Sequence, residues 1–256
     1  MLRVLVLGGS TEGGALVRAL RDDARFDTTL SLAGVTRAPL IDAGIATRIG
    51  GFGGAEGLAA WLRNHAIDAL VDATHPFAQQ ISRNAVLACA ETGVPMLRVD
   101  RPEWRPVPGD RWSMVADMPE AAVVLGPVPR RVLLTIGRKD LAPFRDQPQH
   151  NYIVRSVDAP PLELLPLRCH LVTARGPFDA DAELALLRDF AIEVIVTKNS
   201  GGHATDAKLD AARRLGLAVV MIARPAPVEG PAVPDCQSAL SWLEERHQPS
   251  DTLRAV

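Results

Sequence analysis

Cysteine is scarce in this 256-residue chain: Cys89, Cys169 and Cys236 lie far apart and never form a C-x-x-C pair. That spacing offers neither a disulfide framework nor a thiolate zinc site, and it fits a reducing, cytoplasmic setting. Charge of one sign is lacking too. A formal net charge of −2 gives no global basic field, so a nucleic-acid partner is not expected. No apolar run approaches the length of a membrane span. The opening Met1-Leu-Arg-Val-Leu-Val-Leu-Gly-Gly runs straight into a glycine turn, which predicts a buried first strand rather than a signal or membrane segment.

Several catalytic motifs are missing as well. The chain has no G-x-x-x-x-G-K-[ST] loop, which disfavours a P-loop NTPase, and no H-E-x-x-H, its six histidines being scattered, so no metal site is expected. No G-x-S-x-G elbow occurs, and the sole tyrosine, Tyr152, is followed four positions on by Ser156 rather than lysine. Reduction by a bound cofactor is the chemistry left standing.

What is present is an alternation of short apolar runs with Ala/Leu-rich amphipathic segments, the pattern of mainly parallel sheets flanked by helices. It predicts strands near 3–7, 28–33, 69–72 and 95–98, a weaker one near 46–49, and helices over 13–22, 55–64 and 77–92. The segment Arg101-Pro-Glu-Trp-Arg-Pro-Val-Pro-Gly109 interrupts both kinds of element and reads as a linker. Beyond it, strands are predicted near 112–116, 131–136, 170–174, 193–197 and 218–222, with helices near 119–125, 179–190, 204–215 and 237–246. The expected architecture is α/β, with two Rossmann-like or flavodoxin-like lobes and an active-site cleft between them. Residues 1–104 would form a dinucleotide-binding domain, 105–247 a second domain contributing to the substrate and cofactor cleft, and 248–256 a frayed tail.

Directly after the first strand stands Gly8-Gly9-Ser10-Thr11-Glu12-Gly13, a variant of the dinucleotide fingerprint in which glycines let backbone amides face a pyrophosphate at a helix N-terminus. Ser10 replaces the middle glycine. Its hydroxyl is suited to a phosphate, while its β-carbon would push the pyrophosphate outward. An NAD site would carry an acidic residue some 20 positions on. The segment there is Leu32-Ala-Gly-Val-Thr36-Arg37, whose hydroxyl and guanidinium suit a 2′-phosphate, so NADPH is favoured. Gly51 and Phe52, in the loop Gly50-Gly-Phe-Gly-Gly54, permit close backbone approach to a ligand or form a simple turn.

Ligands of open α/β sheets sit outside the carboxyl ends of the strands. Those ends read Asp72-Ala-Thr74-His75-Pro-Phe-Ala78, Arg98 with Arg101, Gly137-Arg-Lys139, Arg175-Gly-Pro-Phe178, Thr197-Lys198-Asn-Ser200-Gly201-Gly202 and Arg224-Pro225. Five of these six carry a cation, which predicts a ligand with several negative groups. Lysine is rare, only Lys139, Lys198 and Lys208. Lys198 is suited either to proton transfer or to holding an anion. His75, before a proline at a predicted helix start, reads either as a ligand contact or as a packed structural histidine.

In combination, Gly8–Gly13, Asp72-Ala-Thr-His-Pro-Phe-Ala78, Arg98 through Trp104, Gly176-Pro-Phe178, Thr197-Lys-Asn-Ser-Gly201 with Lys208, and Arg224-Pro225 resemble the precorrin-6A reductases of cobalamin biosynthesis over nearly the whole chain. Asn199 departs from the aspartate expected in many relatives. The resemblance implies NADPH-dependent reduction of precorrin-6A to precorrin-6B. It places Ser10, Thr11 and Glu12 at the cofactor, Thr36 and Arg37 near its adenosine end, and Thr74, His75, Arg98, Arg101, Lys198, Ser200 and Gly201 along the cleft, while the loop and strand-end readings add Gly8, Gly9, Gly13, Gly51 and Phe52 at the cofactor and Lys139 and Arg175 at a carboxylate-rich tetrapyrrole. Lys198 and His75 would be the catalytic candidates. A monomer or weak homo-oligomer with no membrane partner is expected. Two other readings are an NADPH-dependent reductase of a smaller conjugated molecule and a non-catalytic NADP(H)-binding sensor.

Overall fold

The computed structural model describes residues 1–34 and 44–247. Thr36 and Arg37, and the tail from 248, lie outside the described residues. Two compact units are present, one formed by residues 1–101 with the segment from 226 onward, the other by Pro102–Pro225.

The first unit contains β1 (Leu2–Leu7), α1 (Thr11–Leu20), β2 (Phe26–Leu32), β3 (Ala46–Ile49), α2 (Gly54–Asn64), β4 (Ala69–Asp72), α3 (Gln79–Thr92) and β5 (Met96–Val99). After the second unit the chain returns to it as β12 (Ala232–Val233) and α8 (Cys236–His247). The sheet is parallel throughout, in the order β12-β5-β4-β1-β2-β3. Strand periodicity sorts the apolar run of β1 onto two faces. Val4 and Val6 join α1 and α8 in one core layer, while Leu5 and Leu7 join α2 and α3 in the other. A helix on each face requires a strand apolar on both sides, which explains the unbroken Val-Leu-Val-Leu.

The second unit contains β6 (Arg111–Val115), α4 (Met118–Val124), β7 (Arg131–Thr135), α5 (Ala142–Arg145), β8 (Asn151–Ser156), β9 (Cys169–Thr173), α6 (Ala180–Asp189), β10 (Val194–Lys198), α7 (Ala207–Leu215) and β11 (Ala218–Ile222). Its sheet, β6-β11-β10-β7-β8-β9, is also parallel. Leu133, Ile195, Val219 and Met221 pack with α6 and α7 on one face. The helix ends carry their expected signals. Asp117 and Asp179 cap α4 and α6 through their carboxylates, and Gly216 closes α7 at φ +66°.

Three expectations need correction. The closing helix α8, assigned to the second lobe by its place in the sequence, packs Ala239 and Leu243 into the core of the first unit beside α1. The division therefore falls at 101/102 and again at 225/226 rather than at a single linker. Strand β8 was not predicted. Its apolar core is only Tyr152-Ile153-Val154, and its next residue, Arg155, looks solvated in sequence but is 6% exposed. Helix α3 begins at Gln79, so His75 stands ahead of the helix and not at its first turn.

Candidate functional site

All strands of the first sheet run in one direction, so the segments after β1, β4 and β5 open on one edge. After β1, Gly9 takes φ +108°, and a β-carbon there would meet nothing within 4 Å. That open side is what a dinucleotide turn requires. Ser10 is the N-cap of α1: its hydroxyl accepts from the Gly13 amide at 3.0 Å and donates to the Ala73 carbonyl at 2.6 Å. The serine at the middle-glycine position thus locks the turn to the segment after β4. A β-carbon on Gly13 would come within 3.2 Å of Gly8 and 3.3 Å of the Ala73 carbonyl, so close helix-to-strand packing depends on that glycine.

After β4, Asp72 is buried and accepts from the Thr74 amide at 3.1 Å and the Thr74 hydroxyl at 2.7 Å. His75 Nδ1 accepts from the Phe77 amide at 3.2 Å, which gives the imidazole a local turn-forming bond. After β5 the cations have internal partners. Arg98 donates to Asp100 at 2.8 Å and to the Val228 carbonyl, tying β5 to the returning segment. Arg101 pairs with Glu12 on the first turn of α1, both side chains largely buried. Glu12 and Arg101, expected at cofactor and substrate respectively, are thus brought together as an ion pair.

On the second unit, the segments after β7, β10 and β11 share an edge for the same reason. Lys198, closing β10, places its Nζ 2.6 Å from Asp140 Oδ2, in the short 3₁₀ turn after β7. Asp140 was not anticipated. Its sequence context, Arg138-Lys139-Asp140, reads as a basic loop, and only the β7–β10 pairing shows which member meets Lys198. Gly137 makes room, because a β-carbon there would lie 2.9 Å from Asp140 Oδ2 and 4.0 Å from Lys198 Nζ. Lys139 and Arg175 are exposed at this edge.

The loop after β10 is built by side chains that grip backbone. Asn199, 2% exposed, accepts from the Trp104 amide at 2.9 Å and donates to the Trp104 carbonyl at 3.0 Å. An aspartate could make only the first of these bonds, so the amide at this position has a structural reason. Arg224 donates to the carbonyls of Asn199 at 2.8 Å and Ser200 at 2.9 Å. A β-carbon on Gly201 would lie 2.1 Å from the Pro102 carbonyl, so glycine there is dictated by packing. Behind the loop, the Trp104 indole donates to the Gly202 carbonyl at 2.9 Å, and Lys208 lies 4.6 Å from the indole centroid. Lys208 is fully buried. Burial, with the positive charge of Arg155 adding to it, pushes its ammonium pKa down from 10.5 to about 7. Arg155 itself pairs with buried Glu183 and stacks over Phe178 at 4.0 Å.

The family model described as precorrin-6x reductase CbiJ/CobK matches residues 3–244. The chain belongs to this reductase family. A precorrin-6A reductase from Sinorhizobium sp is 51% identical over 247 residues, covering 94% of each chain. A second, from Rhodococcus erythropolis, is 48% identical over 244 residues, covering 95% of this chain and 98% of its own. The solved structure of a CobK precorrin-6A reductase superposes with a TM-score of 0.91 at 43% identity, covering 100% of both chains. Among the described residues no group of three or more His, Cys, Asp or Glu side chains could hold a metal ion. No described helix is long and apolar enough to cross a membrane.

Proposed function

We propose that this protein reduces precorrin-6A to precorrin-6B with NADPH, the first unit holding the dinucleotide and the second supplying the lysine–aspartate pair. The observation that carries the reading is membership of the precorrin-6x reductase family across residues 3–244. Support for a dinucleotide comes from the turn after β1, where Gly9 leaves open space, Gly13 allows close packing and Ser10 fixes the loop. Gly8–Gly13 would hold the pyrophosphate, and Thr36, Arg37, Gly51 and Phe52 the adenosine end. The preference for NADPH rests on Thr36 and Arg37 and on the lack of an acidic residue at that position.

When bound, the dinucleotide supplies a hydride to one ring atom, and a proton must reach the neighbouring atom of the reduced bond. The protein's work is then alignment, charge and proton supply. Lys198 is the group suited to the last of these. An ammonium can release a proton where a guanidinium cannot, and Asp140 holds it in one orientation at 2.6 Å. Lys139, Arg175 and Ser200 are the remaining groups of that edge placed to meet acetate and propionate arms. Thr74, His75, Arg98, Arg101 and Gly201 act mainly by holding the edges in shape. The three cysteines are free thiols, in keeping with a cytoplasmic enzyme.

The test is anaerobic mixing of the protein with NADPH and enzymatically prepared precorrin-6A, following nicotinamide absorbance and the macrocycle spectrum together, with NADH in parallel. Coupled, stoichiometric changes with NADPH and little with NADH are expected. Binding of NADPH with no change in either spectrum would contradict the assignment.

A further inference from the structure

β1, β2 and β3 are neighbours in the first sheet and run parallel. The glycine turn after β1 and the glycine loop after β3 therefore open on the same edge, one strand apart. Arg48, third residue of β3, connects them. Its Nη1 donates to the Ser31 hydroxyl at 2.8 Å and the Gly50 carbonyl at 2.9 Å, and its Nη2 to the Gly51 carbonyl at 3.0 Å. Ser31 in turn accepts the Gly8 amide on its own carbonyl at 2.9 Å. The guanidinium carbon stands 3.7 Å from the Phe52 ring centroid, and that ring meets Trp61 of α2 edge-on at 5.8 Å.

Besides Arg48, the loop is held at its start by the Gly50 amide, which donates to the Leu32 carbonyl at 2.8 Å, and by Phe52, which packs against the core layer of α2 and α3. Gly50, Gly53 and Gly54 take φ of +120°, +81° and +95°, and β-carbons at 50, 51, 53 or 54 would meet nothing within 4 Å. A backbone this permissive loses much entropy on ordering. A planar fork that reaches two carbonyls and a hydroxyl while stacking on a ring adds the side-chain part of that ordering. Both Nη1 hydrogens and one on Nη2 are engaged in this way, on acceptors within the protein.

We propose that Arg48 is a positioning residue for the dinucleotide, fixing the Gly50–Gly54 loop in register with the Gly8–Gly13 turn rather than contacting a phosphate itself. The inference rests on the dinucleotide reading above. Its test is equilibrium binding of NADPH and of NADH to the full-length protein by titration calorimetry, for wild type, Arg48→Gln and Arg48→Lys. Arg48→Gln is expected to weaken both dinucleotides by the same factor, about tenfold, or about 1.4 kcal/mol. Arg48→Lys is expected to recover little of the loss, because an ammonium cannot span three acceptors and stack at once. Amide hydrogen exchange at 50–54 should quicken in both variants. Affinities within about twofold of wild type would overturn the proposal, taking the tenfold expectation as the reference. So would a loss confined to NADPH and repaired by lysine, the pattern of a direct 2′-phosphate contact. Wild type binding neither dinucleotide would sink the dinucleotide reading and this proposal together, whereas a binding wild type with unaffected variants sinks this proposal alone. If Arg48→Gln does not fold, Ser31→Ala, which removes only the hydroxyl acceptor, carries the same test with an expected loss of about threefold for both ligands.

Discussion

The two units use their strand-end charges differently. In the first, arginines at the edge are turned inward: Arg98 ties β5 to Asp100 and the returning chain, Arg101 neutralises Glu12, and Arg48 holds a glycine loop. What that edge offers a ligand is backbone shaped by Gly9 and Ser10. In the second, Lys198 and Asp140 form a partly exposed pair, with side chains 18% and 28% exposed. The more buried charges of this unit are Arg155, Glu183 and Lys208. Arg224 of the second unit is turned inward as well, gripping the Asn199 and Ser200 carbonyls, so the difference between the units rests on the Lys198–Asp140 pair.

Exchanging Lys198 should have the largest effect. Lys198→Met should lower kcat by about a hundredfold or more, the scale of losing a positioned proton donor, while leaving the melting temperature nearly unchanged. Arg98→Met should do the reverse. It removes the bonds from Arg98 to the Val228 carbonyl and to Asp100, at a cost of about 1–3 kcal/mol in all, and should change kcat only a few-fold. Steady-state kinetics with thermal unfolding of both variants decides it. The opposite pattern, a stable Arg98 variant that is inactive, would make the first edge a substrate site after all.

A smaller effect, dependent on pH, is expected at Lys208. Lys208 faces Arg155, Glu183 and Asp206, and its folded pKa of about 7 lies below the ordinary 10.5. The unfolded chain therefore binds the extra proton between these values, and stability should rise as pH increases through that window. Below about 7 both states are protonated and the burial penalty is fully present. The Cys89 thiol, pushed up to about 12 by burial, acts in the opposite sense above its ordinary value of 9.0, so the clean comparison is pH 7 against 8.5. Wild type should gain up to about 1.4 kcal/mol per pH unit relative to Lys208→Met. Parallel denaturation curves for the two would show that Lys208 is not desolvated as described.

Much of this was legible in the residues. The Gly8–Gly13 turn, the parallel alternation and Lys198 at a strand end follow from periodicity and from rules about where α/β sheets bind ligands. What was not legible depended on contacts distant in sequence. Asp140 takes its meaning from Lys198, 58 positions away. β8 was hidden because Arg155 finds a buried carboxylate in α6. α8 was misplaced because a sequential reading assigns a helix to the nearest sheet, whereas Pro231 and Val233 lead the chain back to β5. Arg48 gives no signal in the sequence, since two of its three acceptors are backbone carbonyls and the third, the Ser31 hydroxyl, lies 17 positions away.

The proposed reaction is hydride transfer from NADPH to the macrocycle, with the second hydrogen coming through the protein from solvent. Mass spectrometry of the product formed anaerobically from precorrin-6A with NADPH deuterated at the nicotinamide C4 position tests it most directly. The account predicts one deuterium carried into the macrocycle from one C4 face of the cofactor, and one from solvent when the reaction is run in D2O with unlabelled NADPH. Product lacking cofactor deuterium whichever face is labelled, while NADPH is still consumed, would contradict it.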